Sequence, residues 1–178
     1  MSESAPQAQP PLTLNIQYTK DLSFEVPNAP AIYTQLRAAP AVSINLDVQV
    51  KRIQEGQDVF EVALAIRAEG SIAQAPNGAT EEKPVIVFLA DLVYAGVFTL
   101  HEIPENQQEP VLLVECPRLL FPFARNILAD ITRDGSFPPV MLGPIDFVGL
   151  WHSRRGHTLS IWGYEQLTRP QSFHLRLP

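Results

Sequence analysis

Cysteine is nearly absent from this chain of 178 residues: Cys116 stands alone. No disulfide can close within the chain, and a reducing compartment is expected. Also missing are a Cys-x-x-Cys pair, a His-Glu-x-x-His motif, a glycine-rich phosphate loop and any nucleophile motif. The four histidines, His101, His152, His157 and His174, are not spaced to converge on a metal and read as ordinary surface or core residues. Cys116 follows Glu115, a neighbour that disfavours a thiolate, so it reads as a small packing residue. Residues 1–11 have neither the basic start nor the apolar stretch of a secretory signal. The longest apolar run, Val85 to Leu100, is interrupted by Asp91, which argues against a membrane helix. These gaps point away from an enzyme and from a metal or cofactor, and towards a soluble cytoplasmic protein.

What is present is one domain's worth of chain with enough apolar residues, 46%, to build a core. The net charge is −6 and unevenly spread. Residues 152–178 hold Arg154, Arg155, Arg169 and Arg176 against Glu165, a balance of +3 that leaves −9 on residues 1–151. So acidic a body is a poor ligand for nucleic acid and a better one for a basic protein, unless the charge serves solubility alone.

Residues 1–11 read as a flexible tail. A long strand follows, from Leu12 to about Val26, with Leu12, Leu14, Ile16, Tyr18, Leu22, Phe24 and Val26 expected on one face. Asp21 and Glu25 share the polar face, four residues apart, and read as a docking patch for something basic. Lys20 breaks the alternation and marks a bulge or a side chain that snorkels out. Three prolines then shape a crossover over residues 27–41, whose apolar members Ile32, Tyr33 and Leu36 must pack or serve a ligand. Val42–Val50 and Phe60–Ile66 alternate as a hairpin around the turn Glu55–Asp58. A polar loop runs from Ala75 to Lys83.

The fourth strand, Val85 to Leu100, is apolar on both faces. Ile86, Phe88, Ala90, Leu92, Tyr94 and Phe98 fall on one side, with Val85, Val87, Leu89, Asp91, Val93, Ala95 and Val97 on the other, and the run could reach about 50 Å unless a bulge near Gly96 bends it. In a single sheet layer, helices of the same chain cover one face, leaving the other for a partner, a ligand or partial exposure. Leu119, Leu120, Phe123, Ala124, Ile127, Leu128 and Ile131 then recur at helical spacing. Pro122 places the start of that helix near Leu120 or Phe121, and Gly135 its stop. A second helix begins within Ile145–Trp151, and the pattern fades from His152 on. The fold class is α+β: a four-stranded antiparallel sheet followed by a long amphipathic helix and a second C-terminal helix. The stripe around Phe123 and Ile127 is wide for so small a sheet and points to assembly of several copies.

Three ordered blocks carry a family resemblance. Tyr18-Thr19-Lys20-Asp21-Leu22-Ser23-Phe24-Glu25-Val26-Pro27-Asn28-Ala29-Pro30 is the first. The second is Phe88-Leu89-Ala90-Asp91-Leu92 with Gly96-Val97-Phe98. The third is Cys116-Pro117-Arg118-Leu119-Leu120-Phe121-Pro122-Phe123-Ala124-Arg125 with Gly135-Ser136-Phe137-Pro138 and Leu142-Gly143-Pro144-Ile145-Asp146-Phe147. Together they resemble the SecB family of protein-export chaperones over residues 12–151. The resemblance implies a homotetramer, a dimer of dimers with sheets outside and long helices between. It implies an ATP-independent holdase that keeps precursor proteins unfolded and delivers them to the SecA motor ATPase, with no cofactor. SecA contacts carry over as Asp21, Glu25, Leu89 and Asp91. Positions important for tetramer assembly carry over as Ala90, Leu92 and Tyr94, and the client groove falls around Ile32, Tyr33 and Leu36.

Two features depart from the family pattern. Leu36-Arg37-Ala38-Ala39 stands where members often place a tryptophan before strand two, so the groove lining is altered. The basic segment 152–178 resembles nothing in the family, and its structure is left open. Two other readings compete. One is a SecB-like chaperone dedicated to a single client such as an antitoxin, against which Asp21, Glu25 and Asp91 count. The other is a small-molecule binder or an enzyme with a cleft between sheet and helices, against which the absence of convergent polar groups counts.

Overall fold

The computed structural model describes residues 10–74, 83–155 and 173–176. The tail expected over residues 1–11 lies outside them except for Pro10 and Pro11, as do most of the polar loop after Ala75 and residues 156–172. Strand β1 (Leu12–Glu25) is followed by the short helix α1 (Ile32–Gln35), then β2 (Ala41–Arg52), β3 (Val59–Gln74) and β4 (Lys83–Leu100). Helix α2 (Glu105–Pro110) runs through a widened π-helical turn (Val111–Glu115) into α3 (Cys116–Asp134). Helix α4 (Phe147–Arg155) and strand β5 (Phe173–Arg176) complete the described chain.

The strands form one sheet in the order β1-β4-β3-β2-β5, with neighbouring strands antiparallel. The expected four strands are present. A fifth, β5, is added on the free side of β2 from the segment left open by the sequence pattern. Only four residues long, it is too short to show a period.

The hairpin β2–β3 follows its alternation. Ile44, Leu46, Val48, Phe60, Val62, Leu64 and Ile66 are buried on the face that carries the helices. Gly56 turns the hairpin at φ +74, a left-handed conformation that glycine adopts without steric cost. On β4, Phe88, Ala90, Leu92, Tyr94 and Phe98 lie on this inner face and are buried. β4 is bulged at Val87, where Gly70 pairs with Phe88 and Ser71 with Ile86. Ile86 is thereby moved off the face of Phe88, contrary to the simple alternation, and Val85 takes its place. Gly96 stays in regular register and serves another end, since a β-carbon there would sit 2.9 Å from Leu120 of α3. Its bareness lets the helix approach the sheet.

The helical region begins some fifteen residues before the expected start at Leu120–Phe121. Pro110, Pro117 and Pro122 all lie inside it. A helical proline gives no hydrogen bond to the carbonyl four residues back. For Pro117 that carbonyl belongs to Leu113, inside the widened turn, where the Cys116 amide instead reaches back to Val111. A π-turn absorbs such a break without ending the rod. Leu120, Ala124 and Leu128 of α3 are fully buried against the sheet. The Thr132 hydroxyl donates to the Leu128 carbonyl at 2.8 Å and accepts from the Val140 amide at 3.0 Å, tying the following segment onto α3. Phe121 meets Phe147 of α4 edge-on at 5.9 Å. Gly135 stops α3 as expected, but with φ −74; the left-handed residue is Ser136, with φ 65. A side chain at Gly135 would overlap the Phe24 ring, so the glycine is required by packing and not by its dihedral.

Gly70 carries a matching constraint, because a β-carbon there would penetrate the ring of Phe88. Gly70→Val is expected to lower stability by about 1–3 kcal/mol through overpacking. Gly143→Ala, with nothing within 4 Å of the new atom, should stay within about 0.5 kcal/mol of the unaltered chain. Urea unfolding midpoints check both, and equal midpoints for the two variants would contradict this packing.

Candidate functional site

The outward face of the sheet is set by β1, and β1 does not follow a single alternation. Register shifts against β4 lie between Leu14 and Ile16 and between Thr19 and Asp21, so Asn15 and Lys20 are bulged residues. Each bulge flips the side chains that follow. Leu12, Leu14, Leu22 and Phe24 pair with inward-facing residues of β4. Between the bulges Ile16 pairs with Val97 and Tyr18 with Ala95, which puts both on the outward face and corrects the expected pattern. The bulge read at Lys20 is present.

Asp21, Ser23 and Glu25 pair with Val93, Asp91 and Leu89. Cross-strand partners share a face, so Asp21, Glu25, Leu89 and Asp91 all project outwards, away from α3. Asp21 and Glu25 are exposed, with their α-carbons ~13 Å apart along the strand. Asp91 stands diagonally between them, ~7–8 Å from each by ordinary strand geometry. Its carboxylate meets Arg67 of β3 at 3.6 Å, a half-exposed pair that leaves it open to water.

A second charged group lies further along the same face. Glu61 of β3 receives the Tyr18 hydroxyl and, at 2.8 Å, the Lys20 ammonium. Burial alone would raise the Glu61 pKa. Hydrogen bonds from Lys20 and Tyr18 and the charges of Lys20 and Lys51 outweigh it and hold the carboxyl below its ordinary value. Tyr18 is raised in turn by its hydrogen bond to Glu61, by burial and by the Glu61 charge. The bulge at Lys20 lets the lysine reach across to Glu61. One end of the outward face is therefore internally neutralised, and the end bearing Asp21, Glu25 and Asp91 keeps the acidic excess.

The inner side is apolar. Ile32, expected in an exposed groove, is 1% exposed because α1 turns it into the core, which corrects its assignment. Tyr33 is 39% exposed. Its ring lies 5.6 Å from Phe137, which itself packs against Phe24 and Phe88 at 6.3 and 5.0 Å. Tyr33 thus forms the open rim of a four-ring cluster, its hydroxyl fixed to the Gly135 carbonyl at 3.0 Å. Leu36 is half-buried beside the core. Where the family tryptophan is missing, Arg37, Ala38 and Ala39 line an open cleft of about 320 Å³ with Gln35, Ala41 and Ile72. The sequence pattern places Phe24 and Phe88 on strand faces but does not bring them together with Phe137. Their signal was Gly135, whose bareness admits the Phe24 ring.

Ala90 and Leu92, expected at a contact between copies, are 0% and 1% exposed within the chain, and Tyr94 is buried too. They face the helical side of their own chain, which leaves their side chains no direct contact with another copy. The outward side of α3 offers Leu119 and Phe123, 46% and 45% exposed, with Ile127 half-buried beside them. Phe123 stacks on Tyr94 at 6.1 Å, linking the exposed helix face to the sheet beneath. Cys116 is buried, and burial first and Glu115 second push its thiol to about 12, so it is no nucleophile. Among the described residues no three His, Cys, Asp or Glu side chains could hold a metal, and no helix is long and apolar enough to cross a membrane.

The Preprotein translocase subunit SecB family matches residues 5–158. The protein-export protein SecB of Acidiphilium cryptum is 72% identical over 148 residues, covering 82% of this chain and 89% of that protein. That of Granulibacter bethesdensis is 60% identical over 154 residues, covering 86% and 88%. Among solved structures, a SecB-like chaperone of Mycobacterium tuberculosis in complex with an antitoxin peptide superposes with a TM-score of 0.57 at 17% identity, covering 75% of this chain and 90% of that one. The last likeness concerns the fold.

The Glu61 cluster has a pH signature. Its folded pKa lies below the ordinary value of 4.5, so its stabilisation is present above the carboxylate range and lost as pH falls through the lowered pKa. Glu61→Gln is expected to cost on the order of 1 kcal/mol at neutral pH, with the difference vanishing in acid. Urea unfolding of both proteins across that range checks this, and a difference independent of pH would contradict it.

Proposed function

Because the chain belongs to the SecB family, we propose that it holds precursor proteins unfolded as a homotetramer in the cytoplasm and hands them to the SecA motor through the acidic end of its outward sheet face. Its role is that of a chaperone in protein export. The observation that carries the motor contact is the gathering of Asp21, Glu25, Leu89 and Asp91 on one face, opposite the helices. The three carboxylates come from two adjacent strands, and Leu89 stands at one end of them, opposite Glu25 and two residues from Asp91. That arrangement suits a small basic partner with an apolar contact at one end. Single exposed ion pairs are worth ~0.2–1 kcal/mol. Several together, repeated by symmetry, give specificity and fast association.

Holding a client needs apolar surface that stays accessible and asks little of the client's sequence. Tyr33 at the rim of its aromatic cluster, Leu36 and the neighbouring cleft supply it. Apolar burial contributes ~25 cal/mol per Å², so a modest ledge repeated over several copies holds a long chain by avidity. The exposed Leu119 and Phe123 of α3 are the surface through which copies assemble. No step of this cycle requires catalysis by the chain. The acidic patch favours motor delivery over service to one dedicated client, because a dedicated chaperone has no use for it.

The experiment is a set of calorimetric titrations with SecA. Asp21→Asn with Glu25→Gln should weaken binding, and adding Asp91→Asn should bring the loss to about tenfold or more. The mass by light scattering and the ATP-independent retardation of precursor refolding should stay unchanged. Equal SecA affinity for the triple variant would exclude this face as the contact. Loss of precursor retention together with SecA binding would make these residues structural.

A further inference from the structure

The outward face is built of rows of residues that stand side by side across neighbouring strands. One row holds Ser23, Asp91, Arg67 and Asn45, in the order β1, β4, β3, β2. Glu25 and Glu69 belong to the row on one side of it, and Asp21 and Asp47 to the row on the other. Arg67 is the one cation that β1, β2, β3 and β4 place in these rows. It therefore stands in the middle of the acidic end, with carboxylates in both flanking rows and Asp91 beside it. Its guanidinium meets the Asp91 carboxylate at 3.6 Å, and both side chains are half-exposed. A pair so open to water is worth little and exchanges readily.

Arg67 has a second neighbour on its opposite side. Asn45 of β2 is its direct cross-strand partner, just as Asp91 of β4 is, and both lie within reach of a long side chain. The Asn45 side-chain carbonyl is buried and accepts no hydrogen bond among the described residues. A buried acceptor left unmade is costly, and a bond from a charged donor is the stronger kind. Arginine carries five N–H donors, and the amide oxygen of asparagine only accepts. The Arg67 side chain can thus serve Asp91, as it does here, or turn to the other side and serve Asn45. Leaving Asp91 gives up a weak ion pair, and reaching Asn45 satisfies a buried orphan. The two positions are close in free energy, and a positive charge arriving at Asp91 is enough to choose between them.

We propose, resting on the reading of this face as the motor contact, that Arg67 is the internal counter-ion of the acidic patch and turns from Asp91 to the Asn45 carbonyl when a basic partner docks. It is a positioning residue. In the free chaperone it screens Asp91, and in the complex it withdraws to Asn45. A lone cation gains too little at Asp91 to displace it. A partner already anchored at Asp21 and Glu25 delivers its next positive group at high local concentration and takes Asp91 over. Arg67 thereby favours a partner with several positive groups at strand spacing over the isolated lysines and arginines of an unfolded client.

The test is a double-mutant cycle on Arg67 and Asn45 in the full chain, read by calorimetric titration with SecA. Arg67→Gln removes the competitor and is expected to tighten binding about two- to fivefold at low ionic strength, with the gain fading as salt is added. Asn45→Val keeps a residue suited to a strand but takes away the second position, and should weaken binding about two- to fivefold. With both changes the affinity should equal that of Arg67→Gln alone, because Asn45 acts only through Arg67. Light scattering checks that each variant keeps the mass of the unaltered chain, and Asn45→Ala replaces Asn45→Val if that variant does not. Equal or weaker binding by Arg67→Gln would show that Arg67 does not compete for Asp91. An Asn45→Val effect that is absent, or that persists in the double variant, would show that Arg67 does not withdraw to Asn45. Either result overturns the inference alone when the triple variant of Asp21, Glu25 and Asp91 still loses affinity. If that triple variant binds SecA as the unaltered chain does, the motor-contact reading falls, and this inference with it.

Discussion

A one-layer sheet has two faces, and the helices that follow it in the chain can cover only one. Everything functional here depends on which residues the strands send to which side. The inner face takes the large side chains, Phe88, Leu92 and Phe98 of β4 and Leu46 and Leu64 of the hairpin, under Leu120, Ala124 and Leu128 of α3. The outward face is given small apolar residues in its middle, Ala63 and Ala95 among them, and charges towards β1. The two bulges of β1 adjust this division between them. They turn Ile16 and Tyr18 outward, so that Tyr18 faces the same way as Glu61, and the second restores the alternation that sets Asp21 on the face of Asp91.

Much of this division is legible in the sequence, and the failures have physical causes. The hairpin alternation, the exit of α3 at Gly135, the start of α4 and the bulge at Lys20 are all readable, because each depends on local residue type. The faces of Ile16 and Tyr18 were misassigned because Asn15 carries no compositional mark of a bulge, and an unmarked bulge inverts every later residue until the next. The start of the helix was misplaced because proline at 122 was allowed only in a first turn. The π-helical turn before Pro117 shows another accommodation, one that depends on packing along the whole rod. Ile32 was placed in a groove because apolar residues in a proline-rich crossover look exposed when their covering elements come from far away in the chain. The acidic patch is the opposite case. Asp21 and Glu25 needed only strand period, while Leu89 and Asp91 were joined to them by family resemblance and now by register.

Charge and apolar surface are kept apart across the sheet, and the separation has a use. Tyr18, Lys20 and Lys51 neutralise Glu61 locally, which confines the acidic excess to the end of the face holding Asp21, Glu25 and Asp91. The aromatic rim at Tyr33 and the cleft beside Ala39 belong to the crossover, α1 and the margin of β2 and β3. In the proposed cycle a long unfolded chain lies along the second surface without crossing the first, and a basic partner approaches the first without displacing that chain.

The central claim is that these two surfaces are independent. The most direct measurement is a calorimetric titration of SecA into the chaperone saturated with an unfolded precursor, compared with the same titration into the empty chaperone. The account predicts the same stoichiometry in both, affinities within about twofold, and precursor still bound at saturation. Release of precursor in proportion to SecA added, or failure of SecA to bind the loaded chaperone, would contradict it.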